Sequence, residues 1–172
     1  MSTIASTTKS APAGTWSADP VHSNVSFEIA YAGVNTFRGS FRDFTATLVD
    51  GKLEGSAKVA SIDVKDEQLN GHLQTPDFFD AERFPELSFK ADGLERGELT
   101  IKGVTRPVEL TGSISEPNVD PFGRERVGVK LETTIDRNEF GIVWNAPNQG
   151  GGNYLGDTVK LIAELAFVKQ EA

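Results

Sequence analysis

Apolar and polar residues alternate with a period of two along most of this chain. Residues 25–29, 44–49, 108–114, 127–135 and 159–167 all show the alternation. Such a pattern turns one face of each strand towards a core and the other towards solvent, which is typical of antiparallel sheets. We therefore predict an all-β protein with about eight strands, a number found in barrels and sandwiches.

Turn residues separate these runs at regular intervals. Asp50-Gly51 stands between two alternating segments and predicts a tight hairpin of the primed type. The segment 117–123 contains two prolines and a glycine, and 145–156 contains three consecutive glycines, so both are predicted to be loops.

One segment breaks the alternation and predicts a short helical insertion around residues 65–84. Leu69 and Leu73 are four residues apart, so a helix over residues 65–73 would place them on one face. Thr75-Pro76-Asp77 resembles the start of a second helical turn, because proline is favoured at the first helical position. We therefore expect an aromatic-rich helical excursion between two strands.

Composition narrows the class of protein and of partner. The length of 172 residues fits one domain. The absence of cysteine excludes disulfides and thiolate metal sites. Its net charge of −8 disfavours nucleic acids and anionic membranes as partners. We predict a flexible tail over residues 1–14 and a single domain over 15–172. Without an apolar leader or spanning run, we expect a cytoplasmic protein with no stable membrane insertion.

A series of short motifs resembles the YceI-like family, bacterial lipid-binding proteins of lipocalin-like fold. The match extends from about Thr15 to the last strand, and the order and spacing of its motifs carry it. These motifs are Trp16, Asp19, His22-Ser23 and Phe27; Gly39-Ser40-Phe41 and Phe44; His72-Leu73; Asp77-Phe78-Phe79-Asp80; Phe84-Pro85 and Phe89; residues 97–105 with Pro107; and Asp136-Arg137 with Phe140-Gly141.

The resemblance implies an eight-stranded antiparallel β-barrel with a helical insertion that encloses a long apolar pocket. The implied ligand is a hydrophobic small molecule of isoprenoid type, polyprenyl or quinone-like, which the protein would bind, store or transport. No cofactor is expected beyond such a bound lipid or quinone. The resemblance also allows a homodimer.

The residue types agree with a lipid-binding interior. The chain has eleven phenylalanines and two tyrosines, and phenylalanine lines a dry cavity without an unsatisfied polar group. An eight-stranded barrel either fills itself with side chains or holds one small ligand, so a solid core remains the alternative. The predicted pocket residues are Phe27, Phe37, Phe41, Phe44, Phe78, Phe79, Phe89, Leu131 and Trp144.

Polar candidates concern the ligand's head group and an alternative function. Arg137 and Asn145 are candidates for a head-group contact, although Arg137 would equally suit a structural salt bridge. We predict no catalytic residue and no metal site, because the two histidines lack a metal-binding spacing. The alternative is an enzyme that acts on a small hydrophobic substrate with His22 or His72 as acid or base.

Overall fold

The computed structural model describes residues 12–170, and all strands within this range belong to one antiparallel sheet. One short helix, α1, covers Glu67–Leu73. The thirteen strand segments are β1 (Thr15–Ala18), β2 (Asn24–Tyr31), β3 (Asn35–Phe41), β4 (Phe44–Val49), β5 (Lys52–Lys58), β6 (Ile62–Asp63), β7 (Glu86–Asp92), β8 (Arg96–Ile101), β9 (Val104–Glu109), β10 (Thr111–Ile114), β11 (Asn118–Val119), β12 (Glu125–Asp136) and β13 (Leu155–Lys169).

These segments form eight strands of a closed barrel. Some strands are interrupted by short breaks, so that β1 and β2 are two parts of one strand. The same holds for β3 and β4, for β5 and β6, and for β9, β10 and β11, whereas β7, β8, β12 and β13 are each one uninterrupted strand. Each strand pairs antiparallel with its neighbours in the sequence. The ring closes through β13, which pairs with β12 on one side and with β1 and β2 on the other. The predicted all-β antiparallel barrel is confirmed, although its strands are interrupted and the sheet counts thirteen segments where eight strands were predicted.

The hairpin between β4 and β5 has the predicted primed geometry. Asp50 has φ +47° and Gly51 has φ +87°, so both central residues occupy the left-handed region that this turn type requires. Residues 1–11 of the tail predicted over residues 1–14 lie outside the described residues. Within the described part, the Gly14 N–H donates to Asp50 Oδ1 at 2.8 Å.

The insertion is helical over a shorter stretch than predicted. Asp66 caps α1 by accepting a hydrogen bond from the Gln68 N–H at 3.1 Å. The second helical segment predicted from Thr75 is wrong, because that stretch consists of successive turns. Asp80 has a φ of +53°, outside the right-handed helical region, so no helix continues through it. The turns carry Phe78 and Phe79 onto the end of the barrel.

One end of the barrel is solid. Trp16, Ile114 and Phe167 are at most 1% exposed and pack together with residues of β4, β5 and β12. Aromatic and branched side chains fill this end, and the indole N–H of Trp16 is satisfied by the Ala13 carbonyl at 3.2 Å, so it forms a close-packed plug. The opposite end carries α1 and the segment 137–155.

Two loops over the solid end are held by one arginine. Arg126 donates from Nη1 to Asp19 Oδ2 at 3.1 Å and from Nε to Asp120 Oδ2 at 2.7 Å. Each aspartate also accepts the backbone N–H of the second residue after it, Val21 or Phe122. The sequence predicted a loop over residues 117–123 but gave no sign of this ion-pair cluster.

This cluster predicts a loss of stability in acid. The hydrogen bond from His22, assisted by those from Arg126 and the Val21 N–H, lowers the pKa of Asp19 to about 2 from 3.8. Hydrogen bonds from Arg126 and the Arg124 N–H lower the pKa of Asp120 as well. A depressed pKa contributes stability above pH 3.8 that is lost as the pH falls towards 2.

Urea unfolding at several pH values between about 2 and 3.8, the lowered and the ordinary pKa of Asp19, tests the prediction. We expect Asp19→Asn to flatten the dependence of the free energy of unfolding on pH. The control Asp92→Asn, which removes an exposed carboxylate at the end of β7, should leave more of that dependence in place. Equal slopes for the two variants would contradict the prediction.

Candidate ligand cavity

Two adjoining cavities occupy the barrel interior. The larger has a volume of about 680 Å³ and lies towards the end that carries α1. The smaller has a volume of about 120 Å³ and lies towards the solid end. Phe41, Leu87 and Leu161 line both cavities and so form the partition between them. Since known ligand pockets measure about 300–1,000 Å³, the larger cavity alone has the size of a binding site.

Aromatic rings form much of the larger cavity's wall. Phe27 packs against Phe37 and Phe41 with ring centroids 6.3 and 6.0 Å apart. Phe41 in turn meets Phe79 edge to face at 6.1 Å. Gly39 makes room for this packing, since a Cβ there would lie 2.5 Å from the Phe27 ring. The β2–β3 ladder therefore presents a continuous aromatic surface to the cavity.

The predicted pocket residues all border one cavity or the other. Phe27, Phe37, Phe41, Phe78, Phe79 and Trp144 line the larger cavity, and Phe41, Phe44, Phe89 and Leu131 line the smaller one. Their strand positions explain this placement, because they occupy inward-facing positions of the period-two alternation or the turns that cover the open end.

Arg137 lies buried at the wall of the larger cavity. It begins a 3-10 turn over residues 137–140, directly after β12, and its exposed fraction is 3%. Nε donates to the Gly156 carbonyl at 2.8 Å, while Nη1 donates to the carbonyls of Ile142 and Trp144 at 2.8 and 2.9 Å. The side chain therefore joins the start of β13 to the segment that carries Trp144.

The remaining nitrogen of Arg137 is incompletely satisfied. Nη2 is buried, has no hydrogen-bond partner, and lies 3.9 Å from Asp157 Oδ1. Burial lowers the pKa of Arg137, while the negative charges of Asp157 and Asp136 raise it. An arginine keeps its proton at neutral pH even so. A donor of this kind in an apolar wall suits an acceptor oxygen of a bound molecule.

Asn145 holds the backbone instead of bordering a cavity. Its Nδ2 donates to the Leu155 carbonyl at 2.8 Å, and its Oδ1 accepts the N–H groups of Ala146 and Leu155, both at 2.9 Å. These hydrogen bonds close the glycine-rich loop at its base. The residue is absent from the walls of both cavities, so the structure gives it a positioning role.

The two histidines lie in different places. His22 belongs to the loop cluster over the solid end, where its Nδ1 lies 2.6 Å from Asp19 Oδ2. His72 lies on α1 and lines the larger cavity, with Nε2 at 3.0 Å from Asp77 Oδ2. Its ring stacks edge to face on Trp144 at 5.0 Å. Only His72 is therefore placed to contact a ligand in the larger cavity.

Sequence reasoning missed a tyrosine pair at the larger cavity. Tyr31 on β2 and Tyr154 meet edge to face at 5.0 Å, and the Tyr154 hydroxyl donates to the Tyr31 hydroxyl at 3.3 Å. Both line the larger cavity together with Asp66. The pair lies 123 residues apart in sequence, so no local pattern could have revealed it.

Within residues 12–170, no helix is long and apolar enough to cross a membrane. The same described range holds no group of three or more histidine, aspartate or glutamate side chains arranged to bind a metal ion.

Comparison with known proteins identifies relatives whose similarity to this chain extends over nearly the whole barrel. The family model described as a YceI-like domain matches residues 16–167. A UPF0312 protein of Staphylococcus aureus is 33% identical over 165 residues, which cover 87% of this chain and 94% of that protein.

Two solved structures share the fold. BcnA of Burkholderia cenocepacia superposes with a TM-score of 0.73 at 21% identity, over 87% of this chain and 98% of that one. A polyisoprenoid binding domain from Saccharophagus degradans superposes with a TM-score of 0.74 at 12% identity, over 90% and 98% of the two chains.

Proposed function

Because the chain belongs to the YceI-like family, we propose that it binds, stores or transports an isoprenoid-type lipid inside its barrel. The observation that carries this proposal is the larger cavity, about 680 Å³ of space behind walls that are largely aromatic and aliphatic. The structural similarity to a polyisoprenoid binding domain supports it. A polyprenyl or quinone-like molecule combines the long apolar tail and the small polar head that such a space suits.

Burial of the tail supplies the binding energy. Each methylene group transferred from water to the cavity contributes about 0.8 kcal/mol. The cost of immobilising the ligand is several kcal/mol, so a tail of a few isoprene units offsets it without strong polar contacts. The phenylalanine-rich wall therefore suits a ligand recognised mainly by its hydrocarbon.

The head group would lie beside Arg137. Its unpartnered Nη2 is the buried donor of the larger cavity's wall, and a quinone carbonyl or a phosphate oxygen would satisfy it. Asn145 would act indirectly, by fixing the loop that the Arg137 guanidinium also holds through the Trp144 carbonyl. In this arrangement the tail extends away from Arg137 into the barrel.

Tryptophan fluorescence tests the proposal, because the two tryptophans of the chain occupy different environments. Trp144 lines the larger cavity, whereas Trp16 lies in the solid end with 1% exposure. We expect decylubiquinone, a quinone with an apolar tail, to quench the fluorescence saturably at one molar equivalent. Trp16→Phe should keep most of the quenching, and Trp144→Phe should lose most of it. Quenching that never saturates, or that survives in Trp144→Phe, would contradict the proposal.

Catalysis is the second candidate, and one observation favours it. His72 and Asp77 form a hydrogen-bonded pair at the larger cavity, which is the arrangement a general base requires. None of the described residues that line this cavity is a serine, threonine or lysine. An enzyme of this kind would thus activate water or remove a proton from the ligand itself.

Replacing His72 with phenylalanine separates the two candidates. The new ring retains the contact with Trp144 but removes the hydrogen bond to Asp77. A binding protein should keep its affinity for decylubiquinone within about threefold, since the lost contact is partly exposed. An enzyme should lose turnover by about a hundredfold or more, the usual contribution of a general base. Mass spectrometry of the ligand after incubation with each protein distinguishes these results.

A further inference from the structure

The polar groups of the barrel interior are concentrated around one cavity. Tyr31, His72, Arg137 and Tyr154 all line the larger cavity, and none of them lines the smaller one. The inward-facing wall of the smaller cavity is apolar apart from Thr133, whose hydroxyl donates to the Glu109 carbonyl at 2.7 Å. Ala46 on β4 and Ala163 on β13 contribute small side chains to this wall. A ligand with one polar end would therefore direct its apolar end towards the smaller cavity.

The smaller cavity leads no farther into the barrel. Leu131 and Leu165 line it and belong to the same packed cluster as Trp16 and Phe167, which are 1% and 0% exposed. Moving that plug would disrupt close packing along several strands. The end of a ligand tail that enters the smaller cavity therefore stops against these packed side chains.

The volume of the smaller cavity fits one terminal unit. Apolar cavities of about 150 Å³ bind benzene, and this one measures about 120 Å³. An isoprene unit has one carbon fewer than benzene. A tail that reaches this space from the larger cavity would pass between Phe41, Leu87 and Leu161, which line both cavities.

We propose that the smaller cavity receives the terminal isoprene unit of the tail, and that Ala46 and Ala163 thereby set the longest chain that the protein accepts. This inference rests on the proposed function and adds a limit on tail length. The small side chains at these positions leave the space open, and a larger side chain at either would close it.

A series of isoprenoid alcohols of increasing length tests this limit. Geraniol, farnesol, geranylgeraniol and longer polyprenols compete with decylubiquinone for the natural protein and for Ala163→Phe. We expect the natural protein to bind more tightly with each added unit up to one length and no more tightly beyond it. In Ala163→Phe that limit should move to a chain one unit shorter. Affinity for the longest tightly bound alcohol should fall at least tenfold, because one unit loses its buried surface.

Two further variants make the result decisive. Ala46→Phe fills the same cavity from β4 and should shorten the limit in the same way, even if Ala163→Phe fails to fold. Ala60→Phe introduces the same side chain at an exposed position and should leave the limit unchanged. An unchanged limit in both cavity variants, or an equal loss for every chain length, would overturn the inference while leaving the proposed function intact. Absence of binding by the natural protein to every alcohol and to the quinone would overturn both.

Discussion

Replacing Val159 with tryptophan is expected to lower the affinity for farnesol by about a hundredfold or more. Val159 lies on β13 and lines the larger cavity, so the indole ring would occupy space that the tail requires. Excluding only four or five methylene equivalents removes about 3–4 kcal/mol of hydrophobic burial. Competition with decylubiquinone, followed by Trp144 fluorescence or by equilibrium dialysis, measures the loss.

The matched control is Val119→Trp, which makes the same change on β11 at a side chain that is 60% exposed. Its affinity should remain within about twofold of the natural protein. The cavity variant should unfold at a temperature equal to or above that of the natural protein, because filling a void commonly stabilises a fold. A folded Val159→Trp protein that binds farnesol normally would contradict the placement of the ligand in the larger cavity.

Replacing Arg137 with methionine is expected to lower the free energy of unfolding by about 3–5 kcal/mol. The guanidinium donates to the carbonyls of Gly156, Ile142 and Trp144. Methionine has a similar length but donates no hydrogen bond, so these carbonyls would lose their donor, at a cost of about 1–3 kcal/mol for each that stays buried. Urea unfolding measured by far-ultraviolet circular dichroism gives the change.

Arg38→Met is the control, since Arg38 is an exposed arginine that pairs with Glu28 at 3.0 Å on the surface. Exposed ion pairs contribute only about 0–1 kcal/mol, so this variant should unfold almost normally. An Arg137→Met protein that is as stable as the Arg38→Met protein would show that water satisfies these carbonyls.

Much of the barrel could be predicted because its information is local. Alternation over residues 127–135 and 159–167 indicates which side chains face inwards, and the structure pairs these two segments along β12 and β13. Asp50-Gly51 similarly encodes its own turn, since both residues adopt the positive φ angles that the hairpin requires. Neither inference depends on distant parts of the chain.

The insertion shows where local reasoning failed. Thr75-Pro76 carries a favourable signal for a helix start, yet Asp80 adopts a positive φ and the chain turns. Its N–H donates to the Thr75 carbonyl at 2.9 Å, and Phe79 donates to the Leu73 carbonyl at 3.1 Å. Packing of Phe78 and Phe79 over the open end outweighs helix propensity there, as tertiary contacts often do.

Some features of the candidate site could likewise be predicted from local sequence, and others could not. Its phenylalanines on strands could be predicted because they occupy inward-facing positions. The partition could not, because Leu87 and Leu161 approach each other only when the ring closes. The hydrogen bonds of Arg137 could not be predicted either. Its acceptors are the backbone carbonyls of Ile142, Trp144 and Gly156, and every residue type carries such a carbonyl.

Organic extraction of the purified natural protein, followed by mass spectrometry of the extract, shows whether the barrel holds a lipid. A buffer blank and the Val159→Trp protein, purified in parallel, are the controls. We expect one molar equivalent of an isoprenoid-type lipid from the natural protein and little or none from the variant. An empty extract from the natural protein, both as purified and after incubation with quinones and polyprenyl phosphates, would rule out lipid binding in the barrel.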